Sequence, residues 1–296
     1  MSGEAIRYLV EHETSYQYST LVEFAHHIAC LRPAVTERQS LLQFDLQITP
    51  EPGVAASRTD AFGNTLEYFS ISVPHRELSV SGHSQVSLLP RAEPGAGLPL
   101  EEVRESLLYA KDAPYRPESA LSFASPHVPL LAELRDYAAQ DFEAGRPVIE
   151  AARALMRRVH EEFAYESGST SVTTTVAESF AAKSGVCQDF SHVMLAGLRG
   201  LGLAARYVSG YLLTLPPEGQ PHLVGADASH AWVSVWCPQE GWVDLAPTND
   251  VLPDQQDITV AVGRDYGDIA PLKGVIRGGD AHQLKVGVTV TPVSES

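Results

Sequence analysis

Two segments of the chain place a cysteine and a histidine where thiol chemistry would need them. Cys187 lies in KSGVCQDFSHVMLAGLRGLG, and Ser184 and Gly185 suit the start of a helix. We expect the thiol in the first turn of that helix, where unpaired backbone N–H groups and the helix dipole favour the thiolate. The same N–H groups could hold a developing oxyanion. Taken alone, the segment is equally compatible with a small buried cysteine that has only a packing role.

His230 opens the segment HAWVSVW, whose two faces are both largely apolar, as expected of an interior strand. A histidine at the mouth of such a strand is either a structural group or a general base. Cys-His-Asp and Cys-His-Asn sites commonly follow one order along the chain: a cysteine on a helix, a strand, a strand that begins with histidine, and then a polar residue on a strand. Imidazole can take the thiol proton and return it to a leaving amine, while a third group orients the ring.

The elements that must position these residues follow from the local patterns of the chain. Residues 1–90 are rich in β-branched and aromatic residues between turn signals, which predicts a β-rich, sandwich-like N-terminal domain. Residues 91–147 are predicted as a linker with little regular structure to about residue 125, followed by a helix. Residues 148–254 form the predicted catalytic core, and residues 255–296 a C-terminal extension that ends in one strand.

Within the core, periodicity predicts each element in turn. Pro147 opens a helix, a second helix runs from about Val186 to Leu201, and a strand follows in AARYVSGYLL. HAWVSVW and GWVDLA then form a hairpin with CPQE as its turn. The predicted fold class is therefore α+β, with a helix-borne cysteine packed on an antiparallel sheet.

The composition restricts the partners. The formal net charge of -16 argues against nucleic acid, because binding there needs Lys and Arg to replace phosphate counterions, and equally against an anionic membrane surface. An acidic surface weakly favours neutral or cationic substrates, although it more often serves solubility. We expect a peptide or protein substrate, no nucleic acid and no membrane, and the oligomeric state stays open.

The three cysteines, Cys30, Cys187 and Cys237, are too few and odd in number for a disulfide framework. The N-terminus lacks a basic start followed by an apolar run, and no apolar stretch approaches the roughly 20 residues of a membrane-spanning helix. We therefore expect the cytoplasm, a reducing compartment that would keep a reactive thiol reduced. Cys30 and Cys237 are predicted to be structural.

The residues also resemble a known family. GVCQDFSHVMLAGLRGLGLAARYVSGY, DASHAWVSVW and GWVDLAPTND resemble the core of the transglutaminase-like superfamily, which includes bacterial members described as cysteine proteases. DAFGNTLEYFSISVPHRELSV resembles the β-rich domain that precedes this core in bacteria, and GRDYGDIAPLKGVIRGG resembles the tail of the same proteins. The resemblance implies a papain-like core with a Cys-His-Asp triad in which Cys187 is the nucleophile and His230 the base.

The third member departs from the family pattern. The family's Asp usually stands directly before a Pro-Thr pair, and here that position is Ala246. Asp244 is our prediction for the third catalytic residue, because it lies two residues earlier on the same strand face, roughly 6.6 Å away. It reaches His230 only with a shifted register or a bulge. Asn249, or no third member at all, are the alternatives.

Other polar residues near these motifs are given lesser roles. Cys187 and His192 are five residues apart on one helix, a poor match to metal-ligand spacing, so we expect no metal and no cofactor. Arg264, Asp265 and Tyr266 in the family-like tail either line the cleft or form a solvated loop.

The predicted function is thiol-dependent acyl transfer on peptide or glutamine amides through a Cys187 thioester. Water as acceptor makes the protein a protease or amidase, and an amine makes it a transglutaminase; the bacterial resemblance favours hydrolysis. The alternative is a catalytically weak or inactive protein that keeps the fold and binds peptides, for which Ala246 is the reason. A further possibility is that residues 1–90 present a partner to the core.

Overall fold

The computed structural model describes residues 4–109, 111, 115–166, 174–213 and 228–293, and within them the α+β class predicted from the sequence is confirmed. The strands are β1 Ile6–Ala29, β2 Gln39–Thr49, β3 Val54–Thr59, β4 Thr65–Ile71, β5 His75–Leu88, β6 Ala164–Tyr165, β7 Ser184–Gly185, β8 Ala205–Leu212, β9 Ala228–Cys237, β10 Gly241–Leu245, β11 Asp257–Gly263, β12 Leu272–Gly278 and β13 His282–Val293. The helices are α1 Leu100–Leu107, α2 Ala132–Ala139, α3 Val148–Glu162, α4 Val176–Ala182, α5 Cys187–Gly200 and α6 Tyr266–Ile269, with a 3-10 helix at Pro117–Ser122.

The N-terminal strands form one antiparallel sheet around β1, which is 24 residues long. The order of the main path is β2-β5-β1-β4-β3, with β5 pairing the first part of β1 and β4 its last part. Alternate residues of β1 and β5 are buried, as expected for a sheet with one face on a core. The predicted β-rich N-terminal region thus contributes five strands to a single sheet of seven, counted over the described residues.

The C-terminal segment differs from the predicted extension with a single strand. It contains three strands, and they belong to two different sheets: β11 pairs β8, whereas β12 and β13 both pair β1. The short β12 is exposed along most of its length, so its sequence shows no clear alternation between a buried and an exposed face. A boundary drawn at residue 255 therefore cuts through the arrangement of both sheets.

Residues 91–125 also hold more regular structure than a linker. Helix α1 buries Leu100, Val103 and Leu107, and the 3-10 helix buries Leu121. The segment before them lies against the core, since Ala96 and Leu98 accept hydrogen bonds from the backbone at the start of α3. Pro and Gly concealed this helix in the sequence because they flank it, whereas its own apolar positions follow helical spacing.

The core consists of a four-stranded antiparallel sheet in the order β10-β9-β8-β11, with α5 packed against it. Residues 189–199 of α5 are all buried, because α2, α3 and α4 surround the side of the helix that faces away from the sheet. The buried guanidinium of Arg199 donates to the carbonyls of Ala205 and Arg264, at 2.8 Å and 2.6 Å for Nη2. These bonds attach the end of α5 to β8 and to the C-terminal segment. None of the helices in the described ranges is long and apolar enough to cross a membrane.

Candidate active site

The thiol of Cys187 lies at the first residue of α5, where the sequence predicted it. The carboxylate of Asp189 holds this helix end in place: its Oδ2 accepts from the backbone N–H of Val186 at 2.8 Å, and its Oδ1 from the hydroxyl of Ser179 at 3.0 Å. A side chain at Gly185 would collide with Asp189, because a Cβ there would come within 2.6 Å of its carboxylate. Gly185 therefore allows the close approach that fixes the start of the helix.

The environment of the sulfur opposes ionisation, contrary to the expectation from the helix end. Cys187 is partly exposed, whereas Cys30 and Cys237 are buried. Burial of the sulfur raises the pKa of Cys187, and the nearby carboxylate of Asp189 adds to the rise. The backbone N–H groups of Ala231, Gln188 and Cys187 itself point at the sulfur and lower the pKa, but burial outweighs them. The resting state is therefore a thiol with donors already directed at it.

His230 lies near the start of β9, paired with Gly210 of β8, and is only 6% exposed. Burial lowers the pKa of its imidazole to about 4, so the ring is neutral at neutral pH. The ring of Trp232 lies beside it, with centroids 5.9 Å apart. Trp232 can occupy this position because the residue paired with His230 is glycine. A Cβ on Gly210 would come within 2.3 Å of the indole.

The structure brings Cys187 and His230 to neighbouring positions without a hydrogen bond between them. The sulfur accepts from the N–H of Ala231, which is the peptide group directly after His230. Over the described residues, no hydrogen bond joins Sγ to the imidazole. Transfer of the thiol proton to His230 therefore requires a movement that brings the two side chains into contact.

Asp244 does not reach His230, which corrects the sequence prediction for the third residue. The β9–β10 register pairs Asp244 with Ser234, four residues along β9 from His230. That separation is roughly 13 Å, about twice what the two side chains can span. Asp244 and Arg206 instead both pair with Ser234, from the two neighbouring strands. The negative charge of Asp244 acts to raise the pKa of Arg206 and of Asp257.

The position next to His230 on this face is Ala246. Continuing the register puts Ala246 opposite Trp232, and the two side chains pack together with Val208. Asn249 lies in the exposed turn that follows β10, where it cannot contact the buried imidazole. In the part of the chain that the structure describes, Nε2 of His230 is buried and has no hydrogen-bond partner.

Two tyrosines near the sulfur were not singled out in the sequence. Tyr207 of β8 is buried, and the charge of Cys187 contributes to raising the pKa of its phenol above the usual value, after burial as the main cause. Tyr165 of β6 is 57% exposed, and its pKa is raised by burial and then by Cys187. Tyr165 pairs with Gly185, two residues before the nucleophile. A single aromatic in a two-residue strand has no periodic signal that sequence analysis could detect.

The three tail residues Arg264, Asp265 and Tyr266 make different contacts. Asp265 is buried and accepts from the backbone of His127 and Gly267, so its role is to fold the segment. Arg264 forms an ion pair with Asp268. Tyr266 lies edge-on to Tyr207, with centroids 6.5 Å apart, and is the tail residue nearest to the candidate site.

Among the described residues, no group of three or more His, Cys, Asp and Glu side chains is arranged to hold a metal ion. His192 instead accepts a hydrogen bond from the N–H of Tyr266 at 3.2 Å. Two surface depressions of about 580 Å³ and about 670 Å³ lie on the N-terminal sheet, and neither is lined by Cys187 or His230.

Comparison with known proteins identifies the family. Residues 136–247 match the transglutaminase-like superfamily, and residues 8–87 match the bacterial transglutaminase-like N-terminal region. An uncharacterized protein of Mycobacterium tuberculosis is 40% identical over 299 residues, covering 97% of this chain and 93% of that protein. A protein-glutamine gamma-glutamyltransferase of Pseudomonas aeruginosa is 35% identical over 134 residues, covering 43% of this chain and 20% of that protein.

The fold is shared with a solved structure. The crystal structure of a candidate cysteine protease from Cytophaga hutchinsonii superposes with a TM-score of 0.77 at 19% identity, covering 100% of this chain and 93% of that chain. At this identity the likeness shows the fold alone. The sequence matches establish that the chain belongs to the transglutaminase-like superfamily and carries the bacterial N-terminal region of that superfamily.

Proposed function

We propose that the protein catalyses thiol-dependent acyl transfer on peptide or glutamine amides, with Cys187 as the nucleophile, His230 as the base and water as the usual acceptor. Family membership supports the general chemistry. The observation that carries the assignment to these residues is the position of the Cys187 sulfur at the start of α5, within hydrogen-bonding reach of three backbone N–H groups and beside the His230–Ala231 peptide.

The reaction follows from this geometry. The thiol proton passes to His230 as the sulfur attacks the amide carbonyl, and a C–S bond forms. Backbone N–H groups at the start of α5 stabilise the oxyanion of the tetrahedral intermediate. His230 then gives the proton to the departing nitrogen as the C–N bond breaks, which leaves a thioester. Water attacks the thioester, its proton returns to the sulfur, and the acid is released.

The raised pKa of Cys187 and the lowered pKa of His230 bear on the rate. Both shifts disfavour a thiolate–imidazolium pair in the resting site. The neutral imidazole is nevertheless the form that can accept a proton, so the groups are in the correct protonation states for attack. Loss of the orienting group generally weakens catalysis without abolishing it, so we expect slow turnover.

A peptide-binding protein without catalysis is the second candidate, and Ala246 together with the unpartnered Nε2 of His230 favours it. Incubation with a glutamine-containing peptide, with and without an acceptor amine, distinguishes the two by mass spectrometry. We expect an adduct on Cys187 or a hydrolysed product in the wild type, and neither in Cys187→Ala. A peptide that binds and is recovered unchanged, with no adduct on Cys187, would rule out the acyl-transfer proposal.

The proposed substrate is a peptide or protein, and we propose no nucleic-acid, membrane or cofactor partner. The proposed compartment is the cytoplasm, where the three free cysteines, Cys30, Cys187 and Cys237, would stay reduced.

A further inference from the structure

Among the described residues, strand β6 is paired along one edge only, and its other edge lies beside the proposed nucleophile. Its pairing with β7 is parallel, and the N–H groups of Ala164 and Glu166 donate to Lys183 and Gly185 at 2.8 Å and 3.0 Å. Because successive backbone groups of a strand point to opposite sides, the N–H and C=O of the residue between them, Tyr165, point away from β7. Neither group has a hydrogen-bond partner within the described residues.

The ring of Tyr165 adds an apolar surface at the same place. It lies edge-on to Phe190 of α5, with centroids 6.4 Å apart, and more than half of the side chain stays exposed. Tyr165 pairs with Gly185, so it lies next to the backbone that leads directly into Cys187. An exposed aromatic ring and an unpaired backbone donor and acceptor thus adjoin the sulfur.

We infer that an extended peptide substrate docks on this edge as an added strand, paired through the N–H and C=O of Tyr165, with the Tyr165 ring covering a substrate side chain beside the reacting amide. The inference rests on the proposed function and specifies how its substrate is held. Main-chain pairing supplies affinity without sequence preference, and the ring supplies selectivity for an apolar neighbour. The bound molecule is a peptide, because one backbone donor, one backbone acceptor and an adjacent side-chain contact match the repeating unit of an extended chain.

Binding to the Cys187→Ser chain tests the inference independently of catalysis. The probe is the capped pentapeptide acetyl-Ala-Leu-Gln-Gly-Ala-amide, together with a set of the same peptide in which one backbone N–H at a time is methylated. We expect the parent peptide to shift the backbone amide resonance of Tyr165 and one methylated peptide to bind about 10-fold more weakly, since it loses one hydrogen bond. Tyr165→Ala should weaken binding by a similar factor, whereas Tyr165→Phe should bind normally because it keeps the ring.

Three results would overturn the inference: no shift at Tyr165, equal binding of all methylated peptides, or unchanged binding to Tyr165→Ala. If Tyr165→Ala were unfolded, the methylated peptides would still decide the question, because they test the backbone pairing without changing the protein. Alkylation of the wild type by iodoacetamide identifies failure of the proposed function separately. An inert Cys187 combined with normal peptide pairing would remove the catalytic proposal and leave the docking edge in place.

Discussion

Ala246 directly follows β10, lies one cross-strand diagonal from His230 on the same face of the sheet, and packs against Trp232. Diagonal neighbours in an antiparallel pair have Cα atoms about 7–8 Å apart, a distance that an aspartate and a histidine can bridge. We therefore expect an aspartate at position 246 to lie within reach of His230, whereas Asp244 lies opposite Ser234 and does not.

Ala246→Asp should raise the pKa of His230 from about 4 by roughly 1–3 units, because a carboxylate within reach of Nε2 stabilises the imidazolium. Titration of the His230 ring resonances by NMR measures this shift. Ala246→Asn is the matched control, since it introduces the same shape without the charge and should raise the pKa less. An unchanged His230 titration in Ala246→Asp would mean that the face we assign to residue 246 is wrong.

The same variant should increase the reactivity of the thiol. An imidazolium beside the sulfur favours the thiolate, so we expect faster alkylation of Cys187 in Ala246→Asp than in the wild type at neutral pH.

In the wild type, iodoacetamide should modify Cys187 before Cys30 or Cys237, because only Cys187 among the three is partly exposed. Since burial raises the pKa of Cys187 above its ordinary value of 9.0, the rate should still be rising with pH at pH 9. Peptide mapping by mass spectrometry over a range of pH measures both effects. Equal modification of all three cysteines, or a rate that is already constant at neutral pH, would contradict the described environment of the sulfur.

The sequence was informative where the signals are local. Residues of α5 follow helical spacing, and its first residue is the cysteine that the pattern placed there. The hairpin of β9 and β10 was equally visible, and its register lies within one residue of the simple fold about Pro238 and Gln239, so Asp244 required a shift or a bulge that the structure does not contain. The observed pairing puts Gly241 opposite Cys237, and this depends on the geometry of the turn at residues 238–240. A change of one residue in the length of that turn would change which residue lies nearest to His230.

Electrostatics at the sulfur could not be predicted either. A helix dipole can be inferred from the position of Cys187 alone, whereas burial depends on every element packed around it. Here burial outweighs the donors at the helix end, and the negative charge of Asp189 acts in the same direction as burial. Asp189 was visible in the sequence, but its inward orientation follows from the bond with Ser179 of α4, a helix that the sequence analysis did not predict.

Asp257→Asn should stabilise the protein at neutral pH. Asp257 is buried at the edge of the core sheet, one of its oxygens has no partner among the described residues, and burial raises its pKa to about 6 from 3.8. The folded pKa lies above the unfolded one, so the charged carboxylate destabilises the fold above about pH 6. The difference corresponds to at most about 3 kcal/mol.

The gain should therefore be largest near pH 8 and should shrink as the pH falls towards the unfolded pKa of 3.8, below which the wild-type carboxyl is protonated in both states. Urea unfolding at several pH values measures it. Asp254→Asn is the control, since Asp254 pairs with Arg38 at 3.2 Å and its neutralisation should not stabilise. A loss of stability in Asp257→Asn at pH 8 would show that its carboxylate has a partner that the described contacts do not include.

The protein should lose stability as the pH falls below 6.5, and His12 should account for part of the loss. His12 is buried between β1 and β8, where it bonds the hydroxyl groups of Tyr211 and Thr14 at 3.0 Å and 3.1 Å, and burial lowers its pKa to about 4. Its stabilising effect is complete above the unfolded pKa of 6.5 and is lost as the pH falls towards 4, by up to about 3 kcal/mol.

His12→Gln should flatten this dependence between about pH 6.5 and 4, whereas His282→Gln should leave it unchanged, because His282 is exposed. The free energy of unfolding in urea at each pH gives the comparison. Identical slopes for the wild type and His12→Gln would mean that His12 is not protonated on unfolding.

The pairing of β12 and β13 with β1 links the two ends of the chain in one sheet. Strand β1 is flanked, along nearly its whole length, by two strands that follow it late in the sequence. The N-terminal strands can pair with one another early, but β1 gains its partners on the other side only after β12 and β13 have been synthesised. Removal of residues 1–90 would leave β12 and β13 without the strand that they pair with, so this region folds as part of the whole chain and is not a detachable module.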